Sequence, residues 1–217
     1  FSEVVKRCAE LAASYHIYGF VHGVLNTDNI NITGESFDYG PFRLMELYDP
    51  DKIAAYFDHS GLYKFSNQAD SIFWNVQQLA SIFTLFVEQD LLIRELKKYI
   101  NYYNEEILRL FFKRLCLKPS KSDNHNQNLL NEFYNLLINN KFLYEEIFYD
   151  LKGGKEIITF NNGLKQKYKN YDLDKIFNNH EIIDNFNVKF INSLPLETLL
   201  YDEIEKIWDQ IDKNDDW

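Results

Sequence analysis

The chain has 217 residues, a hydrophobic content of 46% and a formal net charge of −10. This composition is typical of a folded chain with one sizeable core, or of most of one lobe of a larger protein. The excess of 33 acidic over 23 basic residues argues against nucleic acid or an anionic membrane surface as the main partner.

The cysteine content and the hydropathy exclude further classes. Cys8 and Cys116 form no metal-binding or disulfide pattern, which is typical of a protein from a reducing compartment. No signal peptide or membrane-spanning segment is predicted, because the most apolar stretch, 82–93, is short and contains two acidic residues. Since the chain starts at Phe1, inside an amphipathic segment, we expect it to be a piece of a longer protein.

The chain opens with a predicted helix and a predicted hairpin. Apolar periodicity indicates a helix over 2–18, with its first residue as the N-cap and the following glycine as its end. Short apolar pieces then alternate with Asn, Asp, Thr and Gly. This pattern predicts a loop, a strand over 30–32, a turn at Gly34 and a second strand that ends at Phe37.

The rest of the chain is predicted to be helical. Apolar spacing indicates a helix over 70–87, one helix or two over 90–117, and helices over 129–151 and 196–211, with a break near 139–140 and a polar loop over 120–128. Asn75, near the start of the second helix, is expected to anchor a loop by a hydrogen bond. No repeat and no domain linker is visible. The predicted fold class is therefore mainly α with a small β hairpin, as a single lobe over residues 1–217.

Three side chains near the hairpin could bind a metal ion together: Asp28, Asn29 and Asp38. Mg²⁺ prefers oxygen ligands, of which proteins usually supply one or two. An asparagine on a loop and an aspartate at the end of the next strand could place two such ligands on one cation. Asn29 follows His22 at the spacing of the protein-kinase catalytic loop, and the Asp-Tyr-Gly that starts at Asp38 can act as the metal-binding turn.

The base of a protein kinase is missing from this pattern. Val24 occupies its position, two residues after His22, and Asp28 is the nearby carboxylate able to accept a proton. We interpret His22 as a structural residue that bonds the loop backbone. The alternative for the whole motif is structural as well, since the sequence Asn-Thr-Asp-Asn is also an ordinary turn.

The stretch VHGVLNTDNINITGESFDYGPF resembles the signature of the SelO family, the kinase-like protein adenylyltransferases. Shorter downstream matches extend the resemblance over residues 1–83. Residues 84–217 agree with the family mainly in their helical character. These matches are Tyr48-Asp49-Pro50, Asp58-His59 with Gly61 and Tyr63, Asn67-Gln68, Trp74-Asn75 and Gln78-Leu79-Ala80.

The resemblance implies the C-terminal lobe of a kinase-like fold and a defined reaction. AMP would be transferred from ATP to Ser, Thr or Tyr hydroxyls of proteins, and pyrophosphate would be released. Asp28 then corresponds to the family's proton acceptor, and Asn29 and Asp38 to its Mg²⁺ or Mn²⁺ ligands, with Asp38 also next to the nucleotide. We predict a location in the bacterial cytoplasm, and a mitochondrial location, which would suit the same family, is the alternative.

Departures from the family pattern leave two other functions open. The glycine-rich segment, lysine and arginines that hold ATP in the family are absent from this sequence, and Leu62 replaces an arginine. We therefore expect the chain to need the N-terminal lobe of the same protein and to turn over little alone. The alternatives are a conventional phosphotransferase and a catalytically inactive remnant or interaction module.

Overall fold

The computed structural model describes residues 1–36, 40–178, 180–184, 186–187, 190 and 195–215. Contacts group the chain into two compact units, which are described separately. The first comprises Phe1–Met45 and Asp49–Leu110, and the second comprises Glu46–Tyr48 and Phe111–Trp217. The division falls at residue 110, well beyond residue 83 where the sequence resemblance weakens. The grouping of the whole chain into one lobe stays a prediction.

The first unit begins with helix α1 (Ser2–Ile17), as predicted. One face of the helix is buried, including Val5, Cys8, Leu11 and Ala12. Gly19 follows the helix with a φ of 63°, a left-handed conformation that glycine adopts without strain. The predicted N-cap is wrong, because Phe1 occupies that position and makes no side-chain cap bond.

The small antiparallel sheet pairs β1 (Phe20–His22) with β2 (Phe42–Leu44), so that His22 lies opposite Phe42. The predicted strand over 30–32 is wrong, since only Ile30 there forms an isolated antiparallel bridge, to Ser36. Gly34 makes the predicted turn, with a φ of 74° and an N–H that donates to Asn31 O at 2.9 Å. Phe37 lies outside the described residues. Mainly helical structure with one small sheet confirms the predicted fold class.

Helices α2 (Gln68–Phe83), α3 (Gln89–Leu96) and α4 (Tyr99–Leu115) follow. α2 starts two residues earlier and stops four residues earlier than predicted. The apolar faces of α1 and α2 meet in the core of the first unit. Ile72 and Val76 of α2 pack there with Leu25, which follows β1, so the core supports the segment between β1 and Ile30.

The second unit contains the remaining described helices. They are α5 (Asp123–Asn139), α6 (Tyr144–Asp150), α7 (Lys155–Phe160), α8 (Asn162–Lys167), α9 (Leu173–Ile176) and α10 (Tyr201–Asn214). The break near 139–140 is confirmed. The predicted loop over 120–128 is wrong beyond Ser122, because α5 starts at Asp123. Buried Asn126 explains the difference: its side chain bonds both the N–H and the carbonyl of Ser120, at 2.8 and 3.0 Å.

In the described part of the chain, no helix is both long and apolar enough to span a membrane.

Candidate functional site

The segment after β1 turns sharply at Gly23. The Gly23 N–H donates to Pro41 O at 2.7 Å, and a Cβ on this residue would lie 2.3 Å from the same oxygen. No other residue fits this close approach without a shift of the backbone. The chain then continues to a short 3-10 helix (Thr27–Asn29) that carries two of the predicted site residues.

Two buried amide side chains of α2 hold this segment by its backbone. Gln68 accepts from His22 N at 2.7 Å and donates to Phe20 O at 2.9 Å. Asn75 donates to Leu25 O at 2.7 Å, which confirms the predicted anchoring bond. All three bonds are made to backbone atoms, so they fix the path of the loop without depending on its side chains.

His22 is a structural residue, as interpreted from the sequence. Its side chain is buried, and its Nδ1 accepts from Val24 N at 3.1 Å. The ring thereby closes the turn immediately after β1. Because Val24 supplies an aliphatic side chain, its contribution to the polar contacts of the site comes from its backbone.

Asn29 is half-buried and has a defined orientation. Its Nδ2 donates to Val24 O at 3.0 Å. The amide oxygen therefore points away from that bond and can bind a cation. An amide oxygen is a suitable ligand for Mg²⁺ or Mn²⁺, which prefer oxygen donors.

Asp28 lies next to Asn29 and is exposed to solvent. Its charge acts on Tyr63, whose hydroxyl donates to Asn26 Oδ1. Partial burial and the negative charges of Asp58 and Asp28 raise the pKa of the Tyr63 hydroxyl. Tyr63 is therefore the neutral hydrogen-bond donor that ties the 58–63 turn to the loop that carries Asp28.

Asp58 shapes the turn that presents Tyr63. Its buried carboxylate accepts from the backbone N–H groups of Leu62 at 2.9 Å and Tyr63 at 2.8 Å. Asn67 donates from its side chain to Gly61 O at 3.0 Å and holds the other side of the turn. Hydrogen bonds to a carboxylate are among the strongest neutral-to-charged contacts in proteins, so this turn is well fixed.

Asp38, the predicted second metal ligand and nucleotide contact, lies outside the described residues, so its pairing with Asn29 stays a prediction. Asp28 and Asn29 are consecutive residues of the 3-10 helix. Within the described ranges, no group of three or more His, Cys, Asp or Glu side chains could hold a metal ion.

A cavity of about 520 Å³ opens beside this loop. It is surrounded by Leu25, Asn26, Leu62, Tyr63, Asn67, Asp70, Ser71 and Trp74. Leu62 and Trp74 are 55% and 53% exposed, so the cavity presents apolar surface to solvent. Asn26 and Tyr63, which are joined by a hydrogen bond, form part of the wall, and Asn26 is two residues before Asp28 in the sequence.

Comparisons with known proteins identify the family of this chain. The family model described as protein adenylyltransferase SelO matches residues 1–217. The chain belongs to the SelO family. It is similar to a protein nucleotidyltransferase YdiU of Trichodesmium erythraeum, with 29% identity over 100% of this chain and 48% of the relative. It is also similar to proteins of the same name from Salmonella paratyphi B and Pseudomonas fluorescens. These are 40% and 42% identical over 63% and 57% of this chain, which correspond to 28% and 25% of the relatives.

The SelO match extends beyond the region that carried the sequence resemblance, since it includes residues 84–217. The chain spans about half the length of the Trichodesmium relative. Sequence reasoning missed the anchoring role of Gln68, although it used Asn67-Gln68 as part of the resemblance. The bonds of Gln68 are made to residues 46 and 48 positions earlier, so no local pattern in the sequence indicated them.

Proposed function

We propose that this chain is part of a metal-dependent protein adenylyltransferase that transfers AMP from ATP to Ser, Thr or Tyr hydroxyls of proteins. The family match over residues 1–217 carries this proposal. It is supported by relatives that are named protein nucleotidyltransferases. The local geometry of Asp28 and Asn29 is compatible with the residue roles that follow.

In the proposed reaction, Asp28 accepts the proton of the acceptor hydroxyl. The hydroxyl oxygen forms a bond to the α-phosphorus of ATP, the bond from that phosphorus to the bridging oxygen breaks, and pyrophosphate leaves with the bonding electrons. An exposed carboxylate is accessible to a protein hydroxyl, as a base in this position must be.

Asn29 would hold Mg²⁺ or Mn²⁺ through its amide oxygen, and Asp38 would provide the second protein ligand and contact the nucleotide. Asn29 is compatible with such an ion, because the bond from its Nδ2 to Val24 O orients the amide oxygen away from the backbone. A divalent ion would neutralise phosphate charge as pyrophosphate leaves. The ATP-holding groups are expected from the N-terminal lobe of the same protein, without which we expect little turnover.

Labelled ATP tests the proposal. The chain, alone and joined to the N-terminal half found in its relatives, is incubated with a protein mixture, Mn²⁺ and either α-³²P or γ-³²P ATP. Protein labelling from α-³²P but not γ-³²P ATP is expected for the joined protein. Labelling from γ-³²P alone would indicate the phosphotransferase instead, and labelling from neither would support an inactive remnant.

Three variants assign the residue roles. Asp28→Asn should lower AMP transfer about 10²–10⁴-fold, the range for loss of a general base. Asn29→Ala and Asp38→Ala should raise the Mn²⁺ concentration needed for half-maximal transfer by at least about tenfold. The control is Asp90→Asn, an exposed aspartate in the first turn of α3, which should transfer AMP at the unchanged rate. Unchanged activity of Asp38→Ala would remove the metal role.

A further inference from the structure

The cavity beside the 26–29 loop has walls that differ from the rest of the candidate site. Leu25, Leu62 and Trp74 provide apolar surface, and Tyr63 adds the side of its ring. A volume of about 520 Å³ is within the range of small-molecule and side-chain pockets. Neither the metal nor the proton acceptor of the proposed reaction needs this apolar surface.

The position of the cavity relates it to the acceptor protein. A hydroxyl that gives its proton to Asp28 must come within about 3 Å of that carboxylate. Asn26 lies two residues before Asp28, and consecutive Cα atoms are about 3.8 Å apart, so a residue that flanks the hydroxyl is within reach of the Asn26–Tyr63 bond. That bond is part of the cavity wall, and the charge of Asp28 reaches Tyr63 itself.

The charges around the cavity favour a cationic segment. Asp70 lines the cavity and is exposed. Asp58 and Asp28 add negative charge near Tyr63. Lys64, the nearest basic residue in the sequence, forms an ion pair with Asp51 at 2.6 Å, which offsets its charge. A lysine or arginine next to the acceptor residue would complement this field, and an acidic residue would be repelled.

We infer that the cavity binds the acceptor protein itself, as a segment in which a large apolar side chain adjoins the hydroxyl residue and a basic side chain lies beside it. The apolar side chain enters between Leu62 and Trp74, and the basic side chain faces Asp70. This inference rests on the proposed function and adds the class of acceptor sequence that the site selects.

Peptide binding tests the inference without ATP, so it does not depend on turnover. The probes are three acetylated and amidated peptides that are identical except for the central Lys-Phe-Ser, Lys-Ala-Ser or Glu-Phe-Ser. Affinity is measured from the shift of the Trp74 indole N–H in ¹⁵N NMR spectra, assigned with Trp74→Phe. The phenylalanine peptide should bind about tenfold more tightly than the alanine peptide, because it buries an aromatic ring.

Variants locate the contact. Leu62→Ala should weaken binding of the phenylalanine peptide about fivefold and leave the alanine peptide unchanged. Leu85→Ala, the same change at a residue that is 76% exposed and does not line the cavity, should leave both affinities unchanged. Asp70→Asn should reduce the preference for lysine over glutamate about threefold.

Two results would overturn the inference: equal affinity for the phenylalanine and alanine peptides, or equal losses for both in Leu62→Ala. Failure of the proposed reaction gives a different pattern. If the peptide preference is found but AMP transfer is absent, the cavity is a peptide site as inferred and only the reaction is wrong. If AMP transfer occurs without any peptide preference, this inference alone is wrong.

Discussion

Replacing Gln68 by methionine should destabilise the loop that carries Asp28 and Asn29. Methionine keeps the length and helix propensity of glutamine but removes both bonds to β1. The His22 N–H and the Phe20 carbonyl then lose partners that lie at 2.7 and 2.9 Å. Each buried backbone group left unsatisfied costs about 1–3 kcal/mol, so the loss of both bonds should lower the free energy of unfolding of the first unit by about 2–6 kcal/mol.

The control is Gln77→Met, the same change at an exposed position of α2. Urea unfolding followed by Trp74 fluorescence, in a background with Trp208→Phe and Trp217→Phe, gives the free energy, and hydrogen exchange at the His22 amide reports the broken bond directly. The exchange of this amide should accelerate by about 10²-fold in Gln68→Met only. Equal stability and equal exchange in the two variants would refute the view that α2 holds the loop through Gln68.

Three further predictions concern the first unit and the cysteines. Burial lowers the pKa of His16 to about 4, so the unfolded state binds the proton before the folded state does. Acidification from pH 7 to pH 4 should therefore lower the free energy of unfolding by about 3 kcal/mol, and the His16→Gln variant should not show this loss. Equal pH dependence of the two proteins would contradict this. Gly34→Ala should cost more than about 2 kcal/mol, because φ is 74° and the new Cβ would lie 2.7 Å from Arg7 O, whereas Gly61→Ala, with a φ of 66° and only the Lys64 side chain nearby, should cost about 1 kcal/mol in the same urea assay. Burial raises the pKa of the Cys8 thiol to about 11. In the native protein at pH 8, iodoacetamide should therefore alkylate half-buried Cys116 at least about tenfold faster than Cys8, as measured by mass spectrometry. Equal rates for the two cysteines would show that Cys8 is accessible.

The sequence predicted the helices of the first unit well because their apolar spacing is regular. α1 was predicted to within one residue at its C-terminal end, and the ends of α2 were predicted to within two and four residues. The sheet was mispredicted for a physical reason. β1 and β2 are three residues long and pair across an intervening stretch that begins at Gly23, so neither shows a period of two on its own.

The sequence indicated candidate site residues, but it did not indicate the Gln68 hydrogen bonds that hold their loop. Asn29 and Asp28 could be found from their spacing to His22, and the bond from Asn75 to Leu25 was expected. The bonds from Gln68 to β1 join residues 46 and 48 positions apart, and such pairs leave no periodic signal in one sequence. The cavity at Leu62 and Trp74 likewise depends on a turn and a helix that meet only in three dimensions.

Helix α2 bonds to the backbone of the loop and not to its side chains, so the path of the loop and its chemical groups are set by different residues. A substitution such as aspartate to valine at position 24 alters what the loop can react with, yet every main-chain anchor survives it. Single side chains of the loop can therefore be exchanged without removing the hydrogen bonds that set its course.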